Sequence, residues 1–189
     1  MEVKIRKLSK ELMDDYLHFF DDIAFCDNPA WSECYCSHFY YGDGDDFDNV
    51  TGKETRACVV DRMNRGKHNG FIAYLDGNPV GWVNADIKEN YIRIIGNEEI
   101  GYDQKKKVGS IVCFVVDHKH RGKGLATALL VEACTYFEDH GYDCVEAYPL
   151  KSPENNAENY HGPLKMYLSN GFVITKALDN MSVLTRTFK

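Results

Sequence analysis

Residues 110 to 127 read Ser-Ile-Val-Cys-Phe-Val-Val-Asp-His-Lys-His-Arg-Gly-Lys-Gly-Leu-Ala-Thr. The chemistry this order of residue types suits is the holding of an anion. Gly122 and Gly124 remove the Cβ atoms that would keep a ligand away from the backbone. A helix opening at Leu125 points its first N–H groups outward, because they have no partner inside the helix. Together with the helix dipole they form a site suited to a pyrophosphate. Arg121, Lys123 and Lys119 add local positive charge. The plain alternative is a tight turn with solvated cations, but cations alone are unfavourable at a helix N-terminus. Two other phosphate motifs, Gly-x-Gly-x-x-Gly and the Gly-x-x-x-x-Gly-Lys-Ser/Thr loop, are not present.

Other groups invite chemistry with less definition. Glu146 stands inside Cys144-Val-Glu-Ala-Tyr148, a run that reads as a strand covered on both faces. A buried carboxylate is costly unless it is paired or useful. Glu146 is therefore a candidate general base, or a carboxylate pairing with structure or substrate; Glu98, Glu99 and Asp86 are further candidates. Cys26, Cys34, Cys36 and His38 could be metal ligands, yet zinc cysteines have two to four residues between them and Cys34 and Cys36 have one. Buried free thiols in an aromatic cluster are the simpler reading, and no metal is expected. Asp43, Asp45 and Glu54 fall at the first, third and twelfth places of a calcium loop, but Phe47 and Asp48 break its pattern. A solvated acidic loop, able to attract a cationic amine, fits better.

Periodicity supplies the elements that position these groups. Val3 to Leu8 alternates like a half-buried strand. Ser9 caps a helix carrying Leu12, Met13, Tyr16, Leu17, Phe19, Phe20 and Ile23, which ends at Asp27-Asn28-Pro29. Thr51 and Glu54 have capping-box spacing and open a second helix reaching about Arg65. Gly70 to Leu75 and Pro79 to Ile87 form a hairpin across Asp76-Gly77-Asn78. Tyr91 to Ile95 reads as an edge strand or a loop. Val108 to Val116 is nearly all apolar, as a central strand must be. Leu125, Leu129, Ala133 and Phe137 share one face of a helix that His140-Gly141 closes. Cys144 to Tyr148 is a strand stopped by Pro149. A short helix opens near Pro163 and ends at Gly171. Phe172 to Lys176 and Met181 to Phe188 close the chain as an antiparallel pair. With no repeat and no linker, residues 1–189 read as one mixed α/β domain.

The sequence has 189 residues, with 44% hydrophobic and 27% charged, which is enough to build one sizeable core. Nothing approaches the run of about 18 apolar residues that spans a membrane. The start, Met1 to Arg6, alternates and lacks the apolar centre of a signal peptide. A net charge of −7 argues against a nucleic-acid partner. Seven scattered cysteines, an odd number, favour reduced thiols and a cytoplasmic location.

With these elements in place the chain resembles the GNAT (Gcn5-related N-acetyltransferase) superfamily. Its acyl-CoA signature, Arg/Gln-x-x-Gly-x-Gly/Ala between a strand and a helix, is matched by Arg121, Gly124 and Ala126. Tyr167 to Phe172 is similar to the family's Tyr-x-x-x-Gly-Phe element, and the hairpin from Ala73 to Trp82 to its central antiparallel pair. The resemblance covers about residues 70 to 176. It implies an α/β (α+β) fold with a mixed, mostly antiparallel sheet, a splayed parallel strand pair, and helices on both faces. It implies acetyl-CoA as co-substrate, its pantetheine arm lying between Ser110–Val116 and Cys144–Tyr148. Phe114, Val115 and Val116 would meet the arm, the Val116 N–H serving the thioester oxygen. Arg121, Gly122, Lys123, Gly124, Leu125, Ala126 and Thr127 would hold the pyrophosphate. Tyr167 would return a proton to the departing thiolate after direct attack by an amine. A small-molecule or peptide amine is the implied acceptor, and a homodimer is common among such proteins. One departure stands out: the family's Asn about seven residues before the tyrosine is Tyr160 here, with Asn159 beside it. The competing functional classes are a non-catalytic acyl-CoA sensor and a metal-stabilised interaction protein built on Cys26 to His38.

Overall fold

The computed structural model describes residues 3–42, 45, 47–153 and 158–188. Its elements in chain order are β1 (Val3–Lys7), α1 (Met13–His18), α2 (Gly52–Asn64), β2 (Gly70–Leu75), β3 (Asn78–Ile87), α3 (Ile92–Ile95), β4 (Val108–Val116), α4 (Leu125–Asp139), β5 (Cys144–Ala147), α5 (Leu164–Leu168), β6 (Val173–Ala177) and β7 (Ser182–Thr187). The seven strands form one sheet in the order β1-β2-β3-β4-β5-β7-β6. Only β4 and β5 run parallel; the other pairs are antiparallel.

Side-chain alternation along the strands divides the core in two. On one face Ile72, Trp82 and Val112 pack against Tyr16, Phe20, Val59 and Met63 from the first two helices. On the other face Phe71, Val83, Ile111 and Phe114 pack against Leu129, Leu130, Ala133 and Phe137 of α4, and against Tyr167. Helices therefore cover both faces, as expected. Gly109 matters here: a Cβ would lie 2.8 Å from the Phe137 ring, so glycine lets α4 seat closely on β4.

Local signals in the sequence translate directly in several places. Asp76 and Gly77 both take left-handed φ angles (48° and 83°), as a two-residue type I′ hairpin turn requires. The Thr51 hydroxyl accepts the Glu54 N–H while the Glu54 carboxylate accepts the Thr51 N–H, completing the capping box. Elsewhere the structure differs from expectation. The segment after Tyr91 is one turn of helix, α3, and neither an edge strand nor a loop. Tyr91 and Ile94 both point inward while Ile92 is exposed, a three-residue spacing that a strand cannot supply. Ser9 does not cap its helix; its hydroxyl bonds Glu11, and the helix begins as a 3₁₀ turn at Lys10–Leu12. A π-helical stretch, Phe19–Ile23, continues α1 and buries the adjacent Phe19 and Phe20 together.

The sheet opens at one point. β4 and β5 pair from Val108↔Cys144 to Ile111↔Ala147 and no further. Beyond Ile111, β4 stays with β3, pairing through Val116↔Gly81. Beyond Ala147 the chain stays with the other neighbour: the Ser182 N–H donates to the Pro149 carbonyl, and Leu150 bridges to Met181. The β3–β4 register shifts between Asn84 and Ala85, so Val112 has no counterpart and forms a bulge beside the opening.

Candidate active site

A cleft of about 1600 Å³ runs along the end of β4, beyond its pairing with β5; none of the residues Cys144–Tyr148 lines it. Its floor is the β4 segment Cys113, Phe114, Val115 and Val116, and its far end is the turn from His120 to Thr127. Nine of the expected cofactor residues line it: Phe114, Val115, Val116, Arg121, Gly122, Gly124, Leu125, Ala126 and Thr127. Lys123 does not; its ammonium turns back to the Lys119 carbonyl at 2.9 Å. Gly122 and Gly124 have φ angles of 72° and 83°, and no atom lies within 4 Å of either missing Cβ. The turn therefore presents bare backbone to the cleft. Gly124 is the N-cap of the fifteen-residue α4 and makes no side-chain cap, so an anion could take that role. These features fit a pyrophosphate, and the free edge of β4 fits an extended arm.

Arg121 is already engaged. Its Nε bonds the Val116 carbonyl at 3.0 Å, and its two terminal nitrogens meet both oxygens of Asp27 at 2.5 and 3.0 Å. The Arg121 guanidinium holds the Asp27 carboxyl below the usual carboxylate range. Asp27 carried no signal in the sequence, because its partner is 94 residues away. His120, another cleft residue not foreseen, is fixed by a 2.8 Å contact from Nδ1 to Asp117. Burial alone would raise the Asp117 carboxyl, but His120 and the Lys119 N–H outweigh it and hold it low.

The facing wall comes from residues 24–39, 47–55 and 158–166. It is aromatic: Trp31 packs edge-on to Tyr160 with ring centroids 5.4 Å apart, and Phe39 and Phe47 join it. Tyr160 and Asn159, the residues at the family's missing asparagine, both line the cleft. His161 closes the base of the opening. Its ring hydrogen-bonds the backbone of Val112, its Nδ1 has no partner among the described residues, and burial lowers it to about 3.

The two expected catalytic residues lie outside the cleft lining. Tyr167 is fully buried one layer below Gly162 and Met166, and its hydroxyl donates to the His161 carbonyl at 2.5 Å. Burial pushes the phenol well above its ordinary range. Glu146 accepts the Lys88 ammonium at 2.7 Å and the Tyr148 hydroxyl at 3.1 Å. Lys88 is itself buried and also donates to the Gly101 carbonyl. Asp86 is held by Asn69 and Asn90, and Glu98 and Glu99 do not reach the cleft. Among the described residues, no group of three or more His, Cys, Asp or Glu side chains converges to hold a metal. Cys36 sits against Cys113 instead of joining Cys26 and His38. Asp43 of the suggested calcium loop lies outside the described residues, and Glu54 is spent on the capping box. No helix among the described residues is long and apolar enough to cross a membrane.

A seven-stranded mixed sheet that splays at one parallel pair, with a glycine turn and helix N-terminus at the gap, defines an acetyltransferase-type architecture. The chain belongs to the acetyltransferase (GNAT) family, whose model matches residues 28–166. Solved structures agree on the fold. The PaiA N-acetyltransferase of Thermoplasma acidophilum, in complex with coenzyme A, superposes with a TM-score of 0.60 at 13% identity over 100% of both chains. The GNAT domain of S. lividans PAT gives 0.59 at 18% identity, covering 98% of this chain and 90% of that one. Ard1 from Thermoplasma volcanium gives 0.58 at 16% identity over 100% and 99%. No curated protein sequence matches the chain.

Proposed function

We propose that this protein transfers the acetyl group of acetyl-CoA to a primary amine of a small molecule or peptide, by direct attack of the amine on the thioester. The observation that carries the reading is the open β4 edge running straight into a glycine turn at the N-terminus of α4. In this reading Phe114, Val115 and Val116 take the arm, with the Val116 N–H at the developing negative charge. Arg121, Gly122, Gly124, Leu125, Ala126 and Thr127 take the pyrophosphate, with Lys123 contributing charge from outside the wall. The complex of the PaiA enzyme with coenzyme A supports the choice of ligand. Seven free cysteines support a reducing, cytoplasmic setting.

Tyr167 is the proton donor in this proposal, supplied through exchange of its hydroxyl away from the His161 carbonyl. Glu146 serves better as a brace than as a base. Its charge is matched by Lys88, and the pair fixes β5 at the last residues before the opening. The proton of the amine then leaves through the water of the cleft.

Calorimetric titration with acetyl-CoA, beside an Ala126→Glu variant, tests the reading. A glutamate in the first turn of α4 favours the helix and leaves folding intact, but its charge repels a phosphate. One-to-one binding by the native protein that weakens about 100-fold or more in the variant supports the assignment; no binding by the folded native protein ends it. The sensor reading is favoured by one observation, the engaged hydroxyl of Tyr167. It requires binding without amine-dependent release of CoA.

A further inference from the structure

Cys36 and Cys113, 77 residues apart in the chain, place their sulfurs 2.9 Å from each other. Both are buried as residues, yet both line the cleft, with Cys34 beside them. The approach is enforced from both sides. Cys113 follows the Val112 bulge on β4. Tyr35 and Cys36 are consecutive non-glycine residues with left-handed φ angles of 45° and 46°, a conformation such residues avoid. Three hydrogen bonds hold them there. The Tyr16 hydroxyl donates to the Tyr35 carbonyl at 2.7 Å, the Tyr35 hydroxyl donates to Asp21 at 2.6 Å, and the Asn84 amide donates to the Cys36 carbonyl at 2.7 Å. A backbone bent against its preference and pinned there aims the Cys36 thiol at Cys113. Bringing the sulfurs to bonding distance, about 2.05 Å, needs a movement of less than ~1 Å.

We propose that Cys36 and Cys113 form a dithiol modification site, which a low-molecular-weight disulfide entering the cleft oxidises to an intramolecular Cys36–Cys113 bond. One cysteine, as thiolate, attacks the small disulfide, forms a mixed disulfide and expels one small thiol. The other cysteine then attacks the protein sulfur of that adduct and expels the second. The two cysteines lose two electrons and two protons, and the incoming disulfide becomes two thiols that carry those protons away. The second step is intramolecular between groups already in contact, so the mixed disulfide does not accumulate. Burial pushes the Cys36 thiol well above its ordinary range and the neighbouring Cys34 thiol up to about 11, which keeps both protonated at neutral pH. Oxidation is therefore slow at neutral pH and faster in alkali. The bond would staple the segment between α1 and α2 to the floor of the cleft. The site stands independently of any catalytic assignment.

The test incubates the whole protein with oxidised glutathione at pH 8, blocks remaining thiols, and reads intact mass and peptide maps. The expected result is two fewer blocked thiols than in the reduced protein, a single cross-linked peptide pair joining positions 36 and 113 that is about 2 Da lighter than its two reduced peptides together, and full reversal by dithiothreitol. Cys113→Ser and Cys36→Ser should each abolish the cross-link and Cys34→Ser should keep it. Either of the first two suffices if it shows a native circular dichroism spectrum. Exposed Cys26 is the internal control. If Cys26 carries glutathione while Cys36 and Cys113 both stay free, or if either keeps a stable glutathione adduct, or if the cross-link uses Cys34, the proposal is overturned.

Discussion

On one side of the cleft, β4, the turn at 117–124 and the start of α4 follow one another along 20 contiguous residues, Val108 to Thr127. The facing wall is assembled from residues 24–39, 47–55 and 158–166, brought together by the fold. The first side is mostly backbone: glycines, a helix N-terminus and an unpaired strand edge. The second is built of side chains, the largest of them aromatic: Trp31, Phe39, Phe47 and Tyr160. A backbone site selects a chemical class, here a phosphate-bearing chain, and asks little of side-chain identity. A side-chain wall selects shape and is free to vary. The difference teaches that cofactor and acceptor preferences in this molecule should be separable by mutation.

The sharpest way to break that separation is Tyr167→Phe, because Tyr167 lies beneath both sides. Loss of the proposed acid should lower amine-dependent release of CoA about 100-fold, at the low end of general acid effects. Acetyl-CoA affinity by calorimetry should change less than about 2-fold, since the hydroxyl is buried and bonds the His161 carbonyl, away from the cleft lining. Unchanged turnover would take Tyr167 out of the mechanism and favour the sensor reading.

Acid should distinguish the walls without any mutation. His161 bonds the Val112 backbone beside the opening, and His68 packs against Tyr16 and Trp82 elsewhere in the core; burial lowers both to about 3, with Arg62 adding to the effect at His68. Each is neutral in the fold and gains a proton on unfolding below about pH 6.5. The unfolded state then binds more protons, so stability falls as pH drops from about 6.5 toward 3, by up to about 1.4 kcal/mol per unit for each histidine. Urea midpoints at pH 7 and pH 5 check the sign. Hydrogen exchange at pH 5 should show residues 158–163 loosening before the turn at 117–124. Loosening of the turn first would reverse the comparison.

The contrast also explains what could be read before the fold was known. Gly122, Gly124 and the apolar run before them are local, and their meaning survives in sequence because backbone geometry is set by neighbours. The capping box at Thr51 and the Asp76-Gly77 turn were legible for the same reason. Asp27, His161 and the Cys36–Cys113 contact were not, since each depends on a partner far along the chain. Glu146 stood out as a carboxylate on a covered strand; it is half-buried, and only the fold supplied the buried Lys88 as its partner. Tyr91 to Ile95 read as strand or loop because five residues, with Arg93 in the middle, are too few for the period to be decided.

A smaller effect belongs to the aromatic wall. Trp31→Ala removes an exposed-edge aromatic that Tyr160 leans on. Its loss should raise the KM for a productive amine about 10-fold while the affinity for acetyl-CoA moves less than about 2-fold. A drop in acetyl-CoA affinity equal to the change in KM would mean the two walls are not separable.

The smallest expected change, and the most telling in sign, comes from Asp27→Ala. Asp27 occupies the Arg121 guanidinium through both oxygens, much as a phosphate would, so ligand and carboxylate compete for one cation. The pair is partly exposed, with side chains 41% and 35% accessible, and such pairs contribute about 0.2–1 kcal/mol. Removing the carboxylate should therefore tighten acetyl-CoA binding by up to about 5-fold at low salt. The gain should shrink as ionic strength rises and screens the freed charge. Weaker binding in the variant would instead make Asp27 an organiser of Arg121, and would tie the residue 24–39 segment to the cofactor side of the cleft.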